Sequence, residues 1–203
     1  NVTETQTKKT LRVSQIEPNR NQPRKQFSEE AVTSLAESIR EHGMLQPILV
    51  RPYIDGQYQI VAGERRWRAA RMLGLDEVPV IIKDITDVEA MQMALIENLQ
   101  RENLNPIEEA TGYKRLSEEF NMKQDDIAKT VGKSRSSIAN MLRILTLPEE
   151  VREMLVNGEI SVGHAKALLS IDDEEVQIEA ARRAKDGSFT VRHIEKLAQS
   201  LAE

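Results

Sequence analysis

Two periodicities alternate along the first part of the chain, and one of them then disappears. Leu11-Arg12-Val13 opens a short strand. Ser28 is placed to cap a helix whose Val32, Leu35, Ala36 and Ile39 share one face, with Gly43 closing it. Gln46 to Arg51 reads as a strand, Asp55-Gly56 as a hairpin turn, and Tyr58 to Ala62 as the returning strand. After Gly63 the helical period resumes and runs to about Gly74, and Val78 to Ile82 forms another strand. From residue 87 onward strand signals vanish. A helix over Val88–Leu99 carries Met91, Ala94, Leu95 and Leu99 on its apolar face. Asn105-Pro106-Ile107-Glu108 starts the next, with Asn as cap, Pro in the first turn and Glu three residues on. Two short helices then flank Gly132. Beyond Pro148, helices near 149–156, 162–169, 174–185 and 191–202 are punctuated by Gly158, Ser161, Gly187 and Thr190. The pattern predicts an α+β chain: a disordered polar tail over 1–10, a small mixed α/β domain over 11–104, and an all-α domain over 105–203.

Composition narrows the classes of function. At 203 residues, 39% hydrophobic and 30% charged, the chain is soluble globular material long enough to bury a core. It has no cysteine, which excludes thiol catalysis, disulfides and cysteine-ligated zinc. Aromatics are only 3%, which argues against a stacking platform for single strands. No apolar run approaches membrane-spanning length and the N-terminus has no signal-peptide core, so a cytoplasmic protein without a membrane partner is expected. The first residue is Asn, which points to a fragment. Net charge is −5, the wrong sign for a protein that simply coats DNA, but the charges are segregated. Lys129 to Leu147 holds Lys129, Lys133, Arg135 and Arg143 with no acid, whereas Asp172 to Glu175 are four acids in a row. Localised anion binding on an otherwise acidic molecule follows.

Three stretches carry candidate chemistry. In Val61-Ala62-Gly63-Glu64-Arg65-Arg66-Trp67-Arg68-Ala69-Ala70 a strand stops at a glycine and turns into a helix. Gly63 permits a tight turn and close approach, the helix start offers free amides, and Arg65, Arg66, Arg68 and Arg71 can pair with phosphate oxygens. That reading, a phosphate cradle, competes evenly with a solvated basic helix face packed through Trp67, Ala70 and Leu73. The Glu97/Asn98/Arg101 cluster offers oxygen ligands for a hard cation such as Mg²⁺ and a phosphate-pairing arginine. Taken alone, an ordinary polar helix end with surface pairs is the favoured reading of this cluster. Residues 124–143 match a helix-turn-helix, with Ala128 for close crossing, Gly132 at the turn, and Ile127, Val131, Ile138 and Leu142 as the apolar set. Ser134 caps the second helix, on which Arg135, Ser136, Ser137 and Asn140 face the major groove, while Lys133 and Arg143 suit phosphates. An αα-hairpin in a bundle is the alternative, and the acid-free stretch favours DNA. Gly163-His164 starts a later helix, and His164 has no second metal ligand nearby, so a structural or DNA-backbone role is expected.

Taken together, Asn19-Arg20-Asn21-Gln22-Pro23-Arg24-Lys25, Gln46-Pro47-Ile48-Leu49-Val50-Arg51, Gly63-Glu64-Arg65-Arg66-Trp67-Arg68-Ala69, Glu97-Asn98-Leu99-Gln100-Arg101 and Gly132-Lys133-Ser134-Arg135 resemble the ParB family of chromosome-partitioning proteins over nearly the whole chain. The resemblance implies a ParB/sulfiredoxin-like N-terminal domain that binds and slowly hydrolyses CTP (to CDP) with Mg²⁺, and a helical domain that recognises a palindromic parS duplex. Carried over, Gly63, Arg65 and Arg66 hold the phosphates, Gln46, Pro47 and Arg51 line the nucleotide pocket, and Glu97 and Asn98 serve the metal and triphosphate, with Arg101 beside them. Glu64 and Glu97 are the candidates for hydrolysis. Gly163 and His164 join the DNA-binding set. The family mechanism is a sliding clamp on the nucleoid: parS promotes CTP-dependent engagement of two N-terminal domains, and a ParA-type ATPase completes partition. The family's ParA-stimulating segment is not evident in residues 1–10, and its C-terminal dimerisation domain is expected beyond Glu203.

Other readings predict different features. The nucleoid-occlusion branch of the same family typically carries Gln where this chain has Arg135, and basic residues at the positions of Met141, Thr146 and Gly163. It also attaches to membrane through an amphipathic helix that is not visible here. A non-catalytic transcription regulator would bind DNA without responding to CTP. A redox enzyme is opposed by the lack of cysteine, and a free-standing small-molecule kinase by the helix-turn-helix.

Overall fold

The computed structural model describes residues 6–19, 28–101 and 103–203. The chain divides into two compact units after Glu97, upstream of the boundary expected at 104/105. The basic loop expected over Pro18–Lys25 falls mostly outside the described residues, as do the first five residues of the expected tail.

In the first unit a five-stranded mixed sheet runs in the order β1-β5-β3-β4-β2. These strands are β1 (Gln6–Arg12), β2 (Ile16–Glu17), β3 (Ile48–Pro52), β4 (Tyr58–Ala62) and β5 (Glu77–Lys83). β1 corrects the expected tail: Gln6 to Arg12 pair antiparallel with Lys83 to Glu77. Its polar sequence, Gln-Thr-Lys-Lys-Thr, gives no apolar alternation because it lies at the sheet's edge, where the exposed Lys9 also discourages pairing with another chain. β3 and β4 form the expected hairpin, with Asp55 and Gly56 both left-handed at its tip (φ 55° and 74°). β3 and β5 run parallel in the middle of the sheet, so Ile48, Val50, Val78 and Val80 are buried.

Two helices cover this sheet. α1 (Glu29–His42) starts at Ser28, whose side chain accepts the Ala31 amide, and buries Val32, Ala36 and Ile39 as expected. Ala69 of α2 (Glu64–Met72) packs against that face, while Trp67 and Ala70 enter the sheet's core cluster. Burying so large an indole is worth roughly 2–3 kcal/mol, which anchors α2 and everything at its N-terminus.

α3 (Asp87–Leu99) carries the chain past the division between the units. Met91, expected on its apolar face, is 44% exposed, and Ala90 takes its place in the core beside Ala94, Leu95 and Leu99. Ala90 packs with Val61 and Ile85 in a small cluster that Leu49 and Met93 flank.

The second unit is helical throughout: α4 (Pro106–Glu118), α5 (Gln124–Val131), α6 (Arg135–Ile144), α7 (Glu149–Val156), α8 (Val162–Leu168), α9 (Glu174–Lys185) and α10 (Val191–Leu201). The Asn105 capping box forms as expected: its carboxamide oxygen accepts the Glu108 amide at 2.9 Å, and Glu108 returns the bond to the Asn105 amide. Tyr113, Leu116, Ile127, Ile138, Ile144, Leu155, Leu168 and Ile194 are fully buried, giving this unit its own core. No helix among the described residues is long and apolar enough to cross a membrane.

Candidate functional sites

The first site grows from the junction of β4 and α2. Gly63 adopts φ 101°, a conformation open to glycine, and ends the strand with a sharp turn into the helix. The first α2 amide with an intrahelical bond is that of Trp67, to the Gly63 carbonyl at 3.1 Å. The amides of Glu64, Arg65 and Arg66 precede it at the positive end of the helix and have no i−4 partner.

Arg66 folds back over this turn. Its Nη1 donates to the Pro47 carbonyl at 2.5 Å, so the Gln46-Pro47 segment meets the cradle. A Cβ on residue 63 would lie 3.1 Å from the guanidinium carbon, which explains the glycine a second time. Burial lowers the Arg66 pKa from its ordinary value, while the charge of Glu97 opposes the shift. An arginine remains charged throughout. Here it is partly desolvated, which would strengthen its hold on an anion.

The four arginines do not converge, however. Helical residues are about 100° apart, which sends Arg68 and Arg71 to the side away from Arg66. Arg68 donates to Glu64 Oε1 at 3.2 Å and Arg71 stacks over the Trp67 ring at 4.8 Å. Arg65 is exposed. Glu64 itself is 9% exposed and stands at the helix start. Its partner Arg68 offsets a carboxylate that would otherwise repel an anion there. Sequence reading counted Arg68 as a phosphate ligand and missed this role, although the i,i+4 spacing signals it.

Arg51 is 8% exposed and heavily committed within the protein. Its Nε and Nη2 donate to Gln59 Oε1 at 2.9 and 2.7 Å, Nη1 to the Ile85 carbonyl at 3.4 Å, and Nη2 pairs with Asp87 at 2.7 Å. It straps the hairpin to the start of α3. Gln59 and Asp87 are the partners that sequence reading did not name.

Gln46 is exposed, and Glu97, also exposed, is near enough to Arg66 for its charge to be felt. Asn98 and Arg101 fall in the second unit, where the Arg101 amide donates to the Asn98 carbonyl at 3.3 Å. Among the described residues no three His, Cys, Asp or Glu side chains form a metal cage. Glu97 and Asn98 carry side-chain oxygens of the kind that Mg²⁺ takes alongside substrate phosphates.

The second site is the α5-turn-α6 pair. Gly132 is left-handed (φ 73°), and its amide and that of Lys133 both reach the Ala128 carbonyl, closing the turn. Ser134 caps α6 by accepting the Ser137 amide at 3.1 Å. Ile138, Met141 and Ile144 are buried on one side of α6, and Leu142 is only half-buried. Met141 is thus core, not a groove-facing position. Arg135, Ser136, Asn140 and Arg143 lie within an arc of roughly 140° on the other side. Arg135 is 69% exposed and 3.9 Å from Asp125, an exposed pair of little energetic consequence.

Lys133, expected to face phosphate, pairs with Glu109 Oε1 at 2.7 Å. His164 caps its own helix: its Nδ1 accepts the Ser161 amide at 3.0 Å, and Ser161 Oγ accepts the His164 amide. Gly163 lets α8 approach α10, since a Cβ there would be 3.3 Å from Val191.

Known proteins agree with both halves. Residues 1–99 match the model of the ParB N-terminal domain and residues 102–203 that of the ParB HTH domain. The chromosome-partitioning protein Spo0J of Thermus thermophilus is 52% identical over 95% of this chain and 70% of its own length. ParB of Myxococcus xanthus is 49% identical over 93% of this chain and 64% of its own. The chain therefore spans about two thirds of the length of these relatives. Among solved structures, C-terminally truncated ParB from Caulobacter crescentus complexed to the centromeric parS site superposes with a TM-score of 0.84, at 44% identity over 95% of this chain and 99% of that one. With both domain models matched in order along one chain, and with relatives of about half identity along nearly all of it, this protein belongs to the ParB family of chromosome-partitioning proteins.

Proposed function

We propose that this chain binds parS DNA through α6 and binds CTP at the Gly63–Arg66 turn, and that CTP binding and hydrolysis switch two copies between an open and an engaged clamp. The observation that carries the reading is the joining, in one chain, of an anion-accepting helix start and an acid-free recognition helix. Arg66 and the amides at the start of α2 receive the triphosphate, assisted by Arg65. Gln46 and Pro47 border the pocket, and Arg51 holds its wall from behind. When bound, Mg²⁺ would be held by Glu97 and Asn98 with phosphate oxygens and would neutralise charge that builds up during phosphoryl transfer. Arg101 adds a cation beside it.

Hydrolysis asks little covalent chemistry of the protein, so positioning carries most of the burden. Glu64 and Glu97 are the acids available to orient water. In the full-length protein a ParA-type ATPase is the expected partner, acting at the nucleoid. Titration of this chain with CTP, ATP, GTP and UTP in the presence of a parS duplex tests the nucleotide assignment. Selective binding of CTP is expected, and equal affinity for all four would overturn it.

A further inference from the structure

Lys133 is the last residue of the turn, directly before the cap of the recognition helix, where a DNA-binding helix-turn-helix approaches the backbone. Its ammonium is occupied. Lys133 Nζ lies 2.7 Å from Glu109 Oε1, and the two residues are 24 apart in sequence, joined only by the fold. The partners differ in freedom, because the lysine side chain is 46% exposed while that of Glu109 is 20%.

Glu109 is also held from beneath. The same Oε1 accepts the Tyr113 hydroxyl at 2.6 Å, and Tyr113 is 1% exposed. Burial, then the bond to Glu109, pushes the Tyr113 phenol well above its ordinary range, so it stays protonated as a donor. The carboxylate is thus a fixed anion on α4, and the lysine is the mobile member that comes to it. A carboxylate oxygen at 2.7 Å offers an ammonium what a phosphate oxygen would.

We propose that Glu109 is a built-in phosphate surrogate: it holds Lys133 in the free protein and surrenders it to the DNA backbone on binding. This rests on the reading of α5 and α6 as the DNA-binding element. The exchange trades one ion pair for another, so each encounter with DNA bears the loss of the Glu109 contact. Because phosphates carry no sequence information, that loss falls equally on cognate and random DNA. Glu109 therefore lowers overall grip and leaves discrimination alone, which favours rapid release from non-cognate sequence.

The test uses the whole chain with a parS duplex and a scrambled duplex of equal length, titrated over a series of salt concentrations. Glu109→Gln keeps the volume and an oxygen acceptor for Tyr113 but removes the charge. It is expected to bind both duplexes about two- to fivefold more tightly, with their affinity ratio unchanged. Lys133→Ala is expected to weaken both and to reduce the slope of log affinity against log salt by about 1. In the Lys133→Ala background, Glu109→Gln should have no further effect on binding. A merely structural tie gives a different pattern: Glu109→Gln would weaken both duplexes, or leave both unchanged, and either result overturns the surrogate. A salt slope indifferent to Lys133→Ala overturns it too. If the unmodified chain itself fails to prefer parS over the scrambled duplex, the DNA reading falls instead, and the two failures are thereby told apart.

Discussion

Arg66→Ala is expected to weaken CTP binding by roughly one to two orders of magnitude and to leave parS recognition largely intact. Among the described residues this guanidinium folds over the Gly63 turn, and it can make charge-assisted bonds that alanine cannot replace. Losing such bonds in a partly desolvated site costs about 1.5–3 kcal/mol, or roughly 10- to 150-fold in affinity. The truncation also frees the Pro47 carbonyl and opens space against Gly63, so the turn loses definition. Calorimetric titration with CTP measures the first effect, and fluorescence anisotropy of a labelled parS duplex measures the second. Arg66→Lys, which keeps the charge without the planar fork, falls between the two. Equal loss of both activities would refute the two-site account.

Arg135→Ala produces the opposite outcome. Its side chain projects from the first residue of α6, is mostly exposed, and is only loosely associated with Asp125. A guanidinium in that position can pair bidentately with guanine, and removing it costs roughly 1–3 kcal/mol of discrimination at one base pair. Competition between parS and single-substitution variants of the site reads this directly. The expected result is relaxed preference at one position, with affinity for scrambled DNA little changed and CTP binding without DNA unaffected. A uniform fall in affinity for every duplex would make Arg135 a phosphate contact instead.

What can be read from this chain before folding depends on how far apart the interacting residues are. The Asp55-Gly56 turn, the Asn105 and Glu108 capping box and the Ser134 cap are each decided within a few residues, and each forms as expected. The buried face of α1 follows the helical period for the same reason. β1 was not legible because an edge strand needs no apolar alternation, and its pairing with β5 spans most of the first unit. The Arg51–Asp87 and Lys133–Glu109 pairs were invisible for the same cause: separation in sequence conceals them, and only the fold joins them. Met91 shows a finer limit. Ala90 and Met91 are adjacent on the helix, and it is Ala90 that the fold turns toward Val61 and Ile85.

At the site itself the residue types were legible and their division of labour was not. Arg65, Arg66, Arg68 and Arg71 form one basic string in sequence, yet the helix distributes them among solvent, the Pro47 carbonyl, Glu64 and Trp67. The helical angle separates Arg68 and Arg71 from Arg66, but only the fold brings the Pro47 carbonyl to Arg66. His164 is comparable: its place three residues after Ser161 marks a capping box, and that is the role it fills.

The most direct test of the central claim, that one chain couples a nucleotide site to a DNA site, is turnover of CTP, ATP, GTP and UTP with and without a parS duplex. CTP-selective hydrolysis that rises only when parS is present is the predicted result, and scrambled DNA should not substitute for it. Hydrolysis absent, or indifferent to parS, alongside tight parS binding would contradict the account and leave a DNA-binding module with a basic helix face.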